Sequence, residues 1–203
     1  MIKGVIFDLG GVLVDNPASD MRSYIANRFG ITEKEFSERS LLYSYDFQKG
    51  LISEKEFWHK VTQGLVLNEE LPDSLWKEAI MSAFSPKKEM LSLVSDLREL
   101  GLKIGILSNT EVPVVEYLQE IDFCPYDVIV YSCLEKTSKP EKSIYLLTIE
   151  RFGMKPNELV FIDDTIENVI AGKSIGLNCI LFKTSDQVRT DLMSLINEKK
   201  AQR

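Results

Sequence analysis

Five short apolar runs, each rich in β-branched or aromatic side chains, constrain the fold of this chain more than any other feature of its sequence. They are Gly4 to Phe7, Leu102 to Leu107, Val128 to Tyr131, Leu159 to Ile162 and Cys179 to Phe182. Runs of this length suit strands, and their lack of apolar-polar alternation predicts burial on both faces. A strand buried on both faces belongs in a parallel sheet covered by helices. The last four runs are separated by stretches of helical character, so a mostly parallel, doubly wound α/β sheet is the economical solution.

The helical signals divide the chain. Between Lys87 and Leu100, the residues Met90, Leu91, Val94, Leu97 and Leu100 fall on one face of a helix, and Gly101 supplies its C-terminal stop. From about Pro17 to Pro86 strand-like runs are absent. Thr32 and Ser53 are each followed three residues later by a glutamate, the spacing of a capping box at a helix start. This segment is predicted to be an insert of roughly four helices after the first strand. The expected organisation is therefore a core of residues 1–16 and 87–203 and a helical cap of residues 17–86. No internal repeat stands out, and the Lys-rich tail from Glu198 is expected to fray.

Charge and cysteine content narrow the function. The chain has 24 basic and 31 acidic residues, a net charge of -7, which works against binding a polyanion over a broad surface. No nucleic-acid partner is expected. Cys124, Cys133 and Cys179 are odd in number and lack CxxC spacing, which argues against a disulfide framework or a zinc site and suits a reducing cytoplasm. The apolar opening is interrupted by Lys3 and Asp8, which is unlike a signal peptide, and no apolar run is long enough for a membrane span.

Chemistry enters where the strands end. Asp8, then Ser108-Asn109, then Lys139, then Asp163-Asp164 each lie at the C-terminal end of a predicted strand or in the loop after it. In open α/β sheets those ends face the ligand crevice. Taken singly, each residue suits a turn or a helix cap. Together they are complementary: three carboxylates suit a hard divalent cation, while a hydroxyl and an ammonium suit a phosphoryl group. The adjacent acids Asp163 and Asp164 repel each other unless a cation is near.

Phe7-Asp8-Leu9-Gly10-Gly11-Val12-Leu13 resembles the first motif of the haloacid dehalogenase superfamily, and Ile106-Leu107-Ser108-Asn109 its second. Ser138-Lys139-Pro140-Glu141 with Ile144-Tyr145 is similar to the third, and Phe161-Ile162-Asp163-Asp164 with Asn168 to the fourth. The insert resembles the cap of the subgroup containing sugar phosphatases and epoxide-hydrolase phosphatase domains; Phe47-Gln48-Lys49-Gly50-Leu51-Ile52-Ser53 with Phe57 is a pattern of such caps. The resemblance implies a Rossmann-like core and a Mg²⁺-dependent phosphatase acting on a small phosphorylated metabolite, with a sugar phosphate as the leading guess. It implies Asp8 as nucleophile, with Ser108 and Lys139 completing the catalytic set. The metal would be held by Asp8, Asp163, the backbone of Gly10 and, directly or through water, Asp164. Phosphoryl contacts are implied for Ser108, Lys139 and the amides of Leu9 and Asn109. Asn168 is expected to orient Asp164 or its loop.

One position departs from the family pattern. Phosphatases of this family usually carry an Asp two residues after the nucleophile, as proton donor and acceptor; here it is Gly10. Its backbone conformation is a possible obstacle to any side chain there. Asp15 is a conceivable substitute, set against its reading as an exposed turn residue. His59, the single histidine, is read as structural. Tyr43, Tyr45, Phe47 and Trp58 are read as cap packing, with one or two dipping into the site. Two other functions compete: a metal-independent 2-haloacid dehalogenase, against which Asp163-Asp164 speaks, and a catalytically reduced phosphate-binding module. Oligomeric state is left open.

Overall fold

A computed structural model describes residues 1–67 and 70–201, with side chains described as far as residue 197. Five parallel strands form one sheet: β1 (Gly4–Phe7), β2 (Lys103–Ser108), β3 (Val128–Tyr131), β4 (Leu159–Asp163) and β5 (Asn178–Leu181). Their spatial order is β3-β2-β1-β4-β5. The chain first winds outward from β1 through β2 to β3, then returns to β4 on the other side. The order therefore reverses beside β1, and ligand crevices open at such a switch point.

All five predicted strands are present, with ends shifted by at most one residue at β2, β4 and β5. The shift has a physical reason. Ladder pairing sets the ends, so Ser108 joins β2 opposite Tyr131 and Asp163 joins β4 opposite Leu181, although neither is apolar. Alternation along β1 sends Val5 and Phe7 into one core and Ile6 into another. The first core is continuous with the helices between β1 and β2; the second is closed by Tyr145, Phe152 and Phe161.

Four helices follow β1: α1 (Ala18–Phe29), α2 (Glu33–Gln48), α3 (Glu54–Val61) and α4 (Leu75–Ala83). Ser53 caps α3 with a complete box, its hydroxyl accepting from the Glu56 amide while Glu56 accepts from the Ser53 amide at 2.8 Å. At Thr32 only half of the box forms. The hydroxyl accepts from the Glu35 amide at 3.1 Å, but the Glu35 carboxylate is taken by Arg39 one turn later, at 3.0 Å. Phe29, Phe36 and Trp58, together with the stacked pair Phe47 and Phe57, form an aromatic interior for this unit.

The predicted helix after the insert is α5 (Lys88–Glu99), closed by Gly101 at φ 78°, with the Leu102 amide donating to the Leu97 carbonyl at 3.1 Å. The remaining helices are α6 (Val112–Glu120), α7 (Ser132–Glu135), α8 (Lys142–Phe152), α9 (Ile166–Ser174) and α10 (Ser185–Ala201). The backbone of the tail expected to fray from Glu198 belongs to α10 as far as Ala201, and its last two residues lie outside the described ones.

Candidate active site

Asp8 directly follows β1, Ser108 ends β2, Asp163 ends β4 and Lys139 follows α7, so parallel winding delivers all four to one edge of the sheet. The Lys139 ammonium lies 2.7 Å from Asp8 Oδ1 and 2.6 Å from Asp163 Oδ2. All three side chains are buried. Burial alone disfavours the ammonium, but the charges of Asp8 and Asp163 outweigh it and raise the Lys139 pKa. Asp8 moves the other way from a usual carboxyl. Burial pushes it up to about 7, with Lys139 opposing and Asp163 adding to the rise.

Asp164 completes a set of acids: one carboxylate oxygen from each of Asp8, Asp163 and Asp164 lies within 4.8 Å of the others. Burial and the neighbouring Asp163 raise the Asp164 pKa as well. Three carboxylates around one ammonium leave two negative charges unbalanced, and all the donors are hard oxygens. The donor set fits a divalent cation.

The two oxygens of Asp8 are not equivalent. Oδ1 takes both the lysine and the Leu9 amide, the latter at 2.7 Å, which leaves Oδ2 outside these bonds. The Leu9 amide, expected to face a phosphoryl group, is thus turned onto Asp8. Asn109 does more than its backbone suggests. Its side chain accepts from the Lys139 amide and donates to the Lys139 carbonyl, both at 2.8 Å, and so fixes the loop carrying the lysine. Asn168, expected to orient Asp164 or its loop, donates its amide to the two oxygens of Asp163, at 3.0 and 3.2 Å, where the strand passes into that loop. Its place one turn into α9 points it back along the helix toward the strand end.

These residues floor a cavity of about 590 Å³, roofed by α1, α2 and α4. Asp8, Leu9, Gly10, Ser108, Asn109, Lys139 and Asp164 all line it. Asp15 does not. It binds Ser85 at 2.8 Å and pairs with Lys87 beside a separate surface depression, so the turn-residue reading holds. His59 is exposed at the end of α3 and also lies away from the cavity. Of the four aromatic residues singled out, Phe47 and Trp58 are packed among the helices that follow β1 and none lines the cavity. Phe36, Trp76 and Phe84 line it instead, because helix rotation and tilt, absent from a linear pattern, decide which rings reach the rim.

The reading of residues also missed Glu111 and named Gln48 only within the cap pattern; they line the cavity from the core and from α2. Glu111 lies three residues past Ser108, in the same strand-end loop, and that placement was the available signal. The α2 end is fastened to the core. Tyr45 and Lys49 bind Glu141 at 2.7 and 3.0 Å, and Ser132 donates to the Gln48 carbonyl at 2.7 Å.

A parallel sheet with an acid cluster and a shared lysine at its switch point, under a helical cover, defines a hydrolase class. The sequence pattern of the haloacid dehalogenase-like hydrolases matches residues 2–176, and the chain belongs to that family. It is an enzyme of that class. It is 26% identical to the sesquiterpene phosphatase astK of Aspergillus oryzae, over 86% of this chain and 87% of the relative. It is also 26% identical to a phosphorylated carbohydrates phosphatase of Thermotoga maritima, over 88% of this chain and 84% of the relative. A match to mouse acyl-CoA dehydrogenase family member 10, 26% identical over 96% of this chain, spans only 19% of that protein. Among solved structures, a family enzyme of Bacteroides thetaiotaomicron in complex with magnesium and inorganic phosphate superposes with a TM-score of 0.74. The two are 24% identical, and the match covers 90% of this chain and 95% of that one. No helix among the described residues is long and apolar enough to cross a membrane.

Proposed function

We propose that this chain is a Mg²⁺-dependent phosphatase that hydrolyses a small phosphate monoester through an aspartyl-phosphate on Asp8. The observation that carries the reading is the buried lysine shared by Asp8 and Asp163, with Asp164 beside them. The cation would be held by Asp8, Asp163, Asp164 and the Gly10 carbonyl. Bound there, it would supply Lewis-acid stabilisation of negative charge on the phosphoryl group.

The chain's own groups do the rest. Lys139 and the Leu9 amide hold Asp8 Oδ1, which orients Oδ2 for attack on phosphorus; the ester P–O bond breaks as the Asp8 bond forms. Ser108 and Lys139 stabilise charge on the transferring group. The leaving oxygen takes its proton from water or from the substrate, because Gly10 has no side chain to give one. Water then attacks phosphorus, and phosphate leaves Asp8.

In this reading residues 17–86 act as the cap that covers the substrate. A sugar phosphate is one substrate in line with the Thermotoga relative; the Aspergillus relative is named for an apolar one. The test is a screen of phosphate monoesters with Mg²⁺, alongside Asp8→Asn. Turnover by wild type and none by the nearly isosteric amide is the expected result. Chloride release from 2-chloropropionate in EDTA, with no phosphatase activity, would establish the dehalogenase reading instead.

A further inference from the structure

Glu111 is an acid that the proposed reaction does not use. It precedes α6 and makes no side-chain cap there. Its carboxylate turns toward the cap instead, accepting from Trp76 Nε1 at 3.2 Å, with Gln48 lining the same cavity. That donor is neutral. Glu141, Asp127 and Asp96, which also join parts of this fold, each have a cation, Lys49, Arg98 and Arg189, whereas Glu54 accepts from neutral donors alone, as Glu111 does, and does so from three of them. Burial pushes Glu111 up to about 7, which its own backbone amide and the Trp76 N–H only partly offset. The titratable group facing it from α7 is the Cys133 thiol, itself pushed up to about 12 by burial and by Glu111.

A glutamine would satisfy the Trp76 N–H equally well without the cost of a desolvated charge. What the carboxylate adds is a negative charge and a second strong acceptor, in a cavity whose neighbouring walls include Ile80, Phe84 and Val114. An acceptor of that kind gains most from a donor that arrives with the ligand.

We infer that Glu111 is a specificity-determining residue, taking a hydroxyl or ammonium donor carried on the organic part of the phosphate monoester. The substrate class is then a phosphate monoester with a largely apolar body and one donor set apart from the phosphate. The inference rests on the phosphatase reading of the same cavity.

The test compares kcat/KM for n-alkyl phosphates with ω-hydroxyalkyl and ω-aminoalkyl phosphates over a range of chain lengths, in wild type, Glu111→Gln and Glu111→Leu. Taking the ratio to the plain ester cancels the ionisation of Asp8 and of the phosphate. Wild type is expected to favour a donor-bearing ester at one chain length by about 10- to 100-fold, the worth of a hydrogen bond to a charged group. The difference should appear in KM. An ammonium preference should grow as pH rises through 7 and vanish in Glu111→Gln. A hydroxyl preference should weaken in Glu111→Gln, whose amide still accepts, and vanish in Glu111→Leu. Thermal melts check that each variant folds, and either variant alone decides the ammonium arm. Absence of any preference in wild type, or the same preference in both variants, would overturn the inference. If wild type also fails to hydrolyse p-nitrophenyl phosphate, the phosphatase reading falls, and the inference with it.

Discussion

Gly11 and Asp164 are in van der Waals opposition: a Cβ on Gly11 would run into the Asp164 carboxylate, and Gly11 also has φ 82°. The absence of a side chain at Gly11 is what lets Asp164 reach the acid cluster. Gly10 is different. A Cβ there meets only Pro17 Cδ, at 3.7 Å, and its φ lies outside the left-handed range. Gly11→Ala should therefore lose at least about 1–2 kcal/mol from backbone strain, and with it the placement of Asp164. Gly10→Ala should melt within about 0.5 kcal/mol of wild type. Thermal melts of the two variants, with and without Mg²⁺, check both.

The space at Gly10 removes the conformational obstacle raised from the sequence, so Gly10→Asp is expected to fold. Without an acid at that position, aryl phosphates should be hydrolysed much faster than alkyl phosphates of similar size. Gly10→Asp should raise the alkyl rates most, by up to about 10²-fold, within the range for a positioned general acid. Single-turnover rates across a leaving-group series provide the measurement. A flat dependence in wild type, with chemistry shown to be slow, would require another proton donor. Asp15→Asn should leave that series unchanged, because Asp15 faces Ser85 and Lys87 outside the cavity.

Lys139 is the cation that both buried acids share. Lys139→Met strands Asp8 and Asp163 together and should cost about 3–5 kcal/mol, as removal of one partner of a buried pair does. For a chain of this size that is roughly 6–20 °C in Tm. The loss should shrink at low pH, where a stranded carboxylate takes a proton. Denaturant titrations at several pH values test this.

Mg²⁺ should raise the Tm of wild type in proportion to RT ln(1 + [Mg²⁺]/Kd), since the unfolded chain has no assembled acid cluster. Asp163→Asn should abolish that shift. EDTA should remove hydrolysis, and Mg²⁺ should restore it. A Tm indifferent to Mg²⁺ would count against the metal assignment.

Glu141 fastens α2 to the loop after Lys139. Burial alone would raise its pKa, but hydrogen bonds from Tyr45, Lys49, Ser138 and Thr137 hold it down at about 2. A depressed carboxyl stabilises the fold above its unfolded value, near 4.3, and that stability is lost as pH falls toward 2. Glu141→Gln should thus be less stable than wild type at pH 7, with the gap closing between about pH 4 and 2. Acid-unfolding curves for the pair would show it.

The five strands, the helices between the first two of them and the groups at the strand ends were legible because they are local. β-branched runs, the capping signals at Thr32 and Ser53, and polar residues closing apolar runs are written in consecutive positions, and parallel winding sends every strand end to the same edge. Partners that lie far apart in the chain were not legible in that way. The Asn109 clasp on Lys139, the grip of Asn168 on Asp163 and the turn of Glu111 toward Trp76 depend on how loops and helices approach one another. Sequence spacing carries no such coordinate. The same limit applies to the aromatic residues, read as cap packing with one or two dipping into the site, because which ring reaches the cavity depends on helix rotation. By itself the sequence determined the parallel sheet and which acids, hydroxyl and lysine would meet at its edge. Only the tertiary structure decided that Lys139 is shared, that Gly10 has room while Gly11 has none, and that Asp15 faces away, because burial and charge act through space rather than along the chain.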